Sequence, residues 1–158
     1  MISGVRLGVD VGSVRVGVAR SDPDGVLATP LVTVPRDGAA VGAVADLVAA
    51  NQAVEVIVGL PLSLRGRETA STADARQFAA ALSVRTGADV RLLDERLTTV
   101  SAQSALRASG RSTRTSRSIV DQVAAVVLLQ SALDQERRTG RAAGDPAAHD
   151  PENQTHDG

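Results

Sequence analysis

Among 158 residues there is no cysteine, and the two histidines, His149 and His156, both fall near the C-terminal end. Disulfide frameworks, thiolate metal sites and cysteine nucleophiles are therefore excluded, and so is histidine acid–base chemistry in the body of the chain. What remains for chemistry is carboxylate and guanidinium. Asp10 stands inside a Val-rich stretch, residues 6–11, where side chains should alternate: Leu7, Val9 and Val11 on one face, Gly8, Asp10 and Gly12 on the other. Residues 14–20 repeat the pattern with Gly17 and Ala19. A hairpin through Gly12 and Ser13 would set those two small residues beside Asp10. Glycine weakens a strand and is tolerated where a ligand or another backbone comes close. A carboxylate is costly to bury unless something positive meets it. Two readings stay open: a salt bridge to Arg15 or Arg20, or a turn cap, against a metal ligand or a phosphate-facing acid.

Further carboxylates occur at positions that could reach the same place. Asp94 and Glu95 directly follow an apolar stretch, residues 90–93. In open α/β sheets, ligands sit beyond the carboxyl ends of parallel strands. Glu95 and Asp10 could share that edge, and the bland alternative is a solvated Asp94-Glu95-Arg96 loop with local ion pairs. Asp121 lies near the start of the last helix. Ser118 to Asp121 has the spacing of a capping box, yet Ala124 and Ala125 one turn on would let that face approach a sheet closely, carrying Asp121 with it. Three converging carboxylates without nitrogen or sulfur ligands would form a hard-oxygen site suited to Mg²⁺ or Mn²⁺. Such ions can activate water and stabilise the leaving oxygen of a phosphodiester.

The elements needed to position these acids can be read from periodicity. Residues 6–11, 14–20 and 26–34 are Val-rich strands, with a turn signal at residues 22–25. Residues 38–52 carry apolar side chains at helical spacing, and residues 54–58 form a strand buried on both faces. A helix over 71–86, closed by Gly87, precedes the strand at 90–93; helices over 98–109 and 118–138 follow. The order β-β-β-α-β-α-β-α-α predicts an α/β fold: a mixed five-stranded sheet flanked by helices, with strands one, four and five parallel. Residues 1–138 form the domain. Residues 139–158, rich in Gly, Pro, Asp and Asn, read as a disordered acidic tail.

The net charge of −1 hides two populations. The tail is acidic; the body carries 16 Arg against 14 acids, and no Lys occurs anywhere. Arg107, Arg111, Arg114 and Arg117 lie in a Ser- and Thr-rich stretch without an acid, and Arg65 and Arg67 flank Gly66 in a loop after the fourth strand. With Arg15 they are candidate phosphate contacts, the alternative being solvated loops. Phe78 is the only aromatic residue, so stacking on aromatic platforms is excluded as a way of holding nucleic acid. No apolar run approaches the ~20 residues of a membrane span, and the first residues lack the pattern of a secretory signal; the expectation is a soluble cytoplasmic protein.

Four motifs in order carry a resemblance. Gly8-Val9-Asp10-Val11-Gly12-Ser13-Val14-Arg15-Val16-Gly17-Val18-Ala19-Arg20-Ser21-Asp22 resembles the opening motif of the YqgF/RuvX family. Val58-Gly59-Leu60-Pro61-Leu62, followed by Gly66 and Thr69, resembles its second. Asp94-Glu95-Arg96-Leu97-Thr98-Thr99 is similar to its third, and Val120-Asp121-Gln122-Val123-Ala124-Ala125 to its fourth. The resemblance implies a ribonuclease H-like fold and an acidic metal-binding triad of Asp10, Glu95 and Asp121. It implies a metal-dependent endonuclease in 5′-end processing of pre-16S rRNA, or alternatively a Holliday junction resolvase acting on branched DNA. The family often carries a Lys-rich patch before the last helix, where this chain has only Arg. A non-catalytic RNA-binding assembly factor is a third reading. A fourth is an ATP phosphotransferase, since the opening motif also resembles the first phosphate loop of sugar kinases and actin-like proteins. The chain has the length of one such domain and no second glycine-rich loop. A homodimer is left open.

Overall fold

The computed structural model describes residues 3–98 and 116–147, with only the backbone described for 116–121. The expected helix over 98–109, from its second residue on, and the residues Arg107, Arg111 and Arg114 lie outside the described residues.

The sheet is built as the alternation requires. Strands β1 (Arg6–Val11), β2 (Arg15–Ser21) and β3 (Ala28–Pro35) form an antiparallel meander. Helix α1 (Ala40–Ala50) leads to β4 (Glu55–Leu60), and α2 (Ala70–Arg85) to β5 (Asp89–Asp94). β4 runs parallel to both β1 and β5, so the three strands end at one edge. A 3-10 turn (Glu95–Leu97) follows β5, and α3 (Ser116–Thr139) crosses the opposite face from α1 and α2. The sheet order is β3-β2-β1-β4-β5-β6.

Two apolar layers hold this together. Leu7, Val9, Val16, Val18, Val56 and Val58 pack under α1 and α2, around Phe78 and Leu82. Ala19, Ile57 and Leu93 pack under α3, against Ala125, Leu128, Leu129 and Leu133. Helix α2 starts at a capping box, in which Thr69 and Thr72 exchange side-chain and backbone bonds. It ends at Thr86, whose N–H bonds the Leu82 carbonyl; Gly87 is not in a left-handed conformation, so the expected glycine cap is absent. Among the described residues no helix is long and apolar enough to cross a membrane.

The expectation for residues 139–158 fails over its first part. Gly140 (φ +75°) closes α3 and its N–H bonds the Glu136 carbonyl at 2.7 Å. The chain then folds back, Ala143 is buried, and β6 (Asp145–Pro146) adds a sixth strand antiparallel to β5. Arg91 donates to the carbonyls of Ala143 (2.8 Å) and Gly144 (2.7 Å). One buried alanine and a set of backbone bonds leave no hydrophobic period to read, which is why composition alone pointed to disorder. Residues 148–158 lie outside the described residues.

Candidate active site

Asp10 sits at the carboxyl end of β1 on the face covered by α3. Its register partner on β2 is Gly17, and that of Gly8 is Ala19, so the small-residue floor expected from the alternation is formed. The helix comes down onto that floor. A Cβ at position 8 would lie 2.7 Å from the Leu129 Cβ and 2.8 Å from the Ala125 carbonyl oxygen, distances that only glycine allows. Glu136, farther along α3, reaches Arg6 at the opposite end of β1 (3.2 Å). The N-terminal turns of α3 therefore lie toward the Asp10 end, and Asp121 is one helical turn before Ala125. Ser118 is inside the helix, so a Ser118 capping box does not start it. The side chains of Arg117 and Asp121 lie outside the described residues.

β5 brings the second acid. Counting in twos from Ile57 and Leu93, the α3 face of β4 and β5 continues to Gly59 and Glu95. Gly59 clears the space: a Cβ there would lie 2.5 Å from Glu95 Oε1. Glu95 and Asp10 share a side-chain hydrogen bond, and burial first, then the Asp10 charge, push the Glu95 carboxyl up to about 7. Asp94 faces elsewhere. It caps the 3-10 turn by accepting from the Arg96 N–H (2.9 Å) and pairs with the Arg96 guanidinium (2.7 Å), which holds it below the usual carboxylate range. The two neighbouring acids thus part: Asp94 takes the local ion pair and Glu95 joins Asp10. Among the described residues the carboxylate cluster stops at two.

The arginines divide similarly. Arg20 is exposed and donates to Asn51 Oδ1 (3.4 Å). Arg15 is half-buried at the start of β2, and its carbonyl accepts the Gly12 N–H (2.9 Å). Arg65 and Arg67 are exposed on the loop after β4. Sequence reasoning missed Arg36. Its N–H bonds the Val14 carbonyl (2.9 Å) and its Nη1 the Gly12 carbonyl (3.1 Å), so it holds the β1–β2 turn just beyond Asp10. Its guanidinium forks onto Asp74 (2.7 and 2.8 Å) and lies over the Phe78 ring at 5.3 Å. The carboxylate and ring it uses come from α2, distant in sequence, and no local spacing signals them.

The RuvX family model, described as a Holliday junction resolvase, fits residues 4–135. The chain belongs to the RuvX family. A RuvX relative from Leifsonia xyli, described as a candidate pre-16S rRNA nuclease, is 59% identical over 148 residues, covering 92% of this chain and 96% of that protein. One from Streptomyces coelicolor with the same description is 51% identical over 148 residues, covering 92% and 89%. The structure of Thermus thermophilus RuvC in complex with a Holliday junction substrate superposes with a TM-score of 0.64 at 16% identity, over 90% of this chain and 99% of that one. The fold is ribonuclease H-like, as the motif resemblance implied.

Proposed function

We propose that this RuvX chain is a metal-dependent endonuclease that hydrolyses phosphodiesters at the Asp10–Glu95 pair, in 5′-end maturation of pre-16S rRNA. The single observation that carries the reading is the pair itself: two carboxylates sharing a hydrogen bond on a glycine-cleared floor, with Glu95 raised to about 7. Like charges held this close call for a proton or a cation between them. The donors are all oxygen, and the Gly59 cradle leaves Glu95 room beside Asp10, so the residues fit Mg²⁺ or Mn²⁺. Asp10 and Glu95 would hold the ion, with Asp121 as the third ligand. The ion would supply Lewis-acid polarisation of the phosphate and of a water.

The chain's own residues do the rest. Asp10 and Glu95 fix negative charge at the sheet edge. Arg36 holds the turn behind Asp10. Arg15, Arg65, Arg67, Arg107, Arg111, Arg114 and Arg117 are the candidate phosphate contacts, which set position and carry no base information. The rRNA assignment rests on the naming of relatives at 50–59% identity.

A second reading, a resolvase of branched DNA, is favoured by the family description and by the likeness to RuvC. The deciding experiment incubates the purified protein and Mn²⁺ with a pre-ribosomal 5′ leader and with a four-way DNA junction. Cleavage of the leader at a defined position, with the junction intact, supports the rRNA reading. The reverse makes the chain a resolvase. Chelator-resistant binding without cleavage of either makes it an assembly factor.

A further inference from the structure

The loop after β4 presents an apolar side chain where a polar one would be expected. Leu64 is 97% exposed, the most exposed large hydrophobic residue among those described. The loop under it is built. Leu62 and Glu68 form a β-bridge, the Ser63 N–H bonds the Arg67 carbonyl (3.0 Å), and the Gly66 N–H bonds the Ser63 carbonyl (2.8 Å). The Arg67 N–H bonds Ser63 Oγ (3.0 Å), and Gly66 takes φ +78°, which favours glycine. Its base is fastened to α2: the Thr72 hydroxyl donates to the Pro61 carbonyl and Glu68 pairs with Arg76. Leu64 is thus held out from a fixed turn.

The loop also leaves the sheet at the edge that carries the acid pair. It leaves β4 one residue after Gly59, and Leu60 is the register partner of Asp94. A Cβ at Gly66 would lie 3.0 Å from Arg96 Nη1, so the turn abuts the residue that follows Glu95. Arg65 and Arg67, both exposed, follow the tip and match a phosphate backbone in charge. The one aromatic ring, Phe78, is 2% exposed under Arg36 and cannot stack on a base. An aliphatic side chain is therefore what the described surface offers for parting a base step, a role apolar side chains fill in proteins that kink nucleic acid; Leu64 stands out farther than Val14 (66% exposed) or Leu97 (60%).

We propose that Leu64 is a wedge that enters the base stack of the substrate at the sheet edge that carries the Asp10–Glu95 pair, with Arg65 and Arg67 on the adjoining phosphates. The proposal rests on the nuclease reading above. Parting one step bends the backbone and brings one phosphate down to the acids, which would select a single bond among many.

The test uses the full-length protein and the pre-rRNA leader in two forms, one paired at the cleaved step and one mismatched there, each also made with 2-aminopurine at that step. The wild type should raise 2-aminopurine fluorescence on binding the paired form without divalent metal, and Leu64→Ala should not. Leu64→Ala should slow Mn²⁺-dependent cleavage of the paired form by roughly tenfold or more and of the mismatched form little, because the mismatch already supplies the unstacking. Leu64→Met should restore both signals. Val84→Ala, at an 87% exposed position near the end of α2, should change neither. Wild-type cleavage with Leu64→Ala equal to it on the paired form, or equally slow on both forms, overturns the wedge and leaves the nuclease reading standing. A wild type that cleaves neither form overturns the rRNA reading and the wedge with it.

Discussion

Gly59 and Glu95 occupy one space: the position a Cβ at residue 59 would take is 2.5 Å from Glu95 Oε1. The glycine on β4 therefore decides where the carboxylate after β5 can sit. Gly59→Ala should leave the fold intact, since the atom displaced is the far end of a side chain, but push Glu95 away from Asp10. Melting temperature should move by only a few degrees. Mn²⁺ affinity, measured by calorimetry, should fall at least about tenfold, the effect expected when a ligand's support is lost.

Gly8 gives the contrasting case. There an added methyl meets the Ala125 carbonyl and Leu129 Cβ, groups fixed in a helix. Gly8→Ala must shift α3 and should destabilise the protein by about 1–3 kcal/mol, the usual cost of overpacking. Denaturant unfolding would show it as a lower midpoint at unchanged slope.

The pH dependence of the metal-free protein has a definite sign. Glu95 is raised from an ordinary 4.5 to about 7 by burial and by Asp10. Glu55 is raised to about 7 by burial and then by Glu136, partly countered by Arg6. The folded state binds more protons than the unfolded one between these values. Both groups contribute stability that is full below 4.5 and is lost as pH rises through about 7. Metal-free protein should thus melt higher at pH 5 than at pH 8. Asp10→Asn and Glu55→Gln should each recover about 0.5–2 kcal/mol at pH 8 and little at pH 4. The two sites lie at opposite ends of the sheet, so the gains should add. A drop in melting temperature for Asp10→Asn at pH 8 would place Asp10 in a structural ion pair instead.

Truncation separates the two parts of the C-terminal segment. Residues 148–158 contain no Val, Leu, Ile, Met or aromatic residue, so their removal should leave melting unchanged. Removing residues 141–158 strips β6 and Ala143 from the sheet and takes both carbonyl partners from Arg91. That deletion should cost about 2 kcal/mol or more, read from denaturant unfolding.

Much of this site was legible because it depends on short-range periodicity. Alternation in twos put Gly8, Asp10, Gly17 and Ala19 on one face, and the βαβ pattern made β1, β4 and β5 parallel, so Asp10 and Glu95 had to end at the same edge. Alternation could not choose between Asp94 and Glu95, because the strand ends there; the Arg96 pairing decides it. The clearance at Gly59 and the hold of Arg36 on Gly12 and Asp74 depend on residues 24 or more positions apart. β6 has two residues, too few for any period to register.

Metal-dependent hydrolysis at the acid pair is the proposed activity. Its most direct test is single-turnover cleavage of the pre-16S 5′ leader by the wild type and by Asp10→Asn, with Mn²⁺ and with chelator, alongside binding by the same two proteins. The wild type should cleave only with Mn²⁺. Asp10→Asn should bind the leader with an affinity within a few-fold of wild type yet cleave about a hundredfold more slowly or not at all, as loss of the proposed metal ligand predicts. Cleavage by Asp10→Asn at the wild-type rate, or by the wild type undiminished in chelator, would contradict the account.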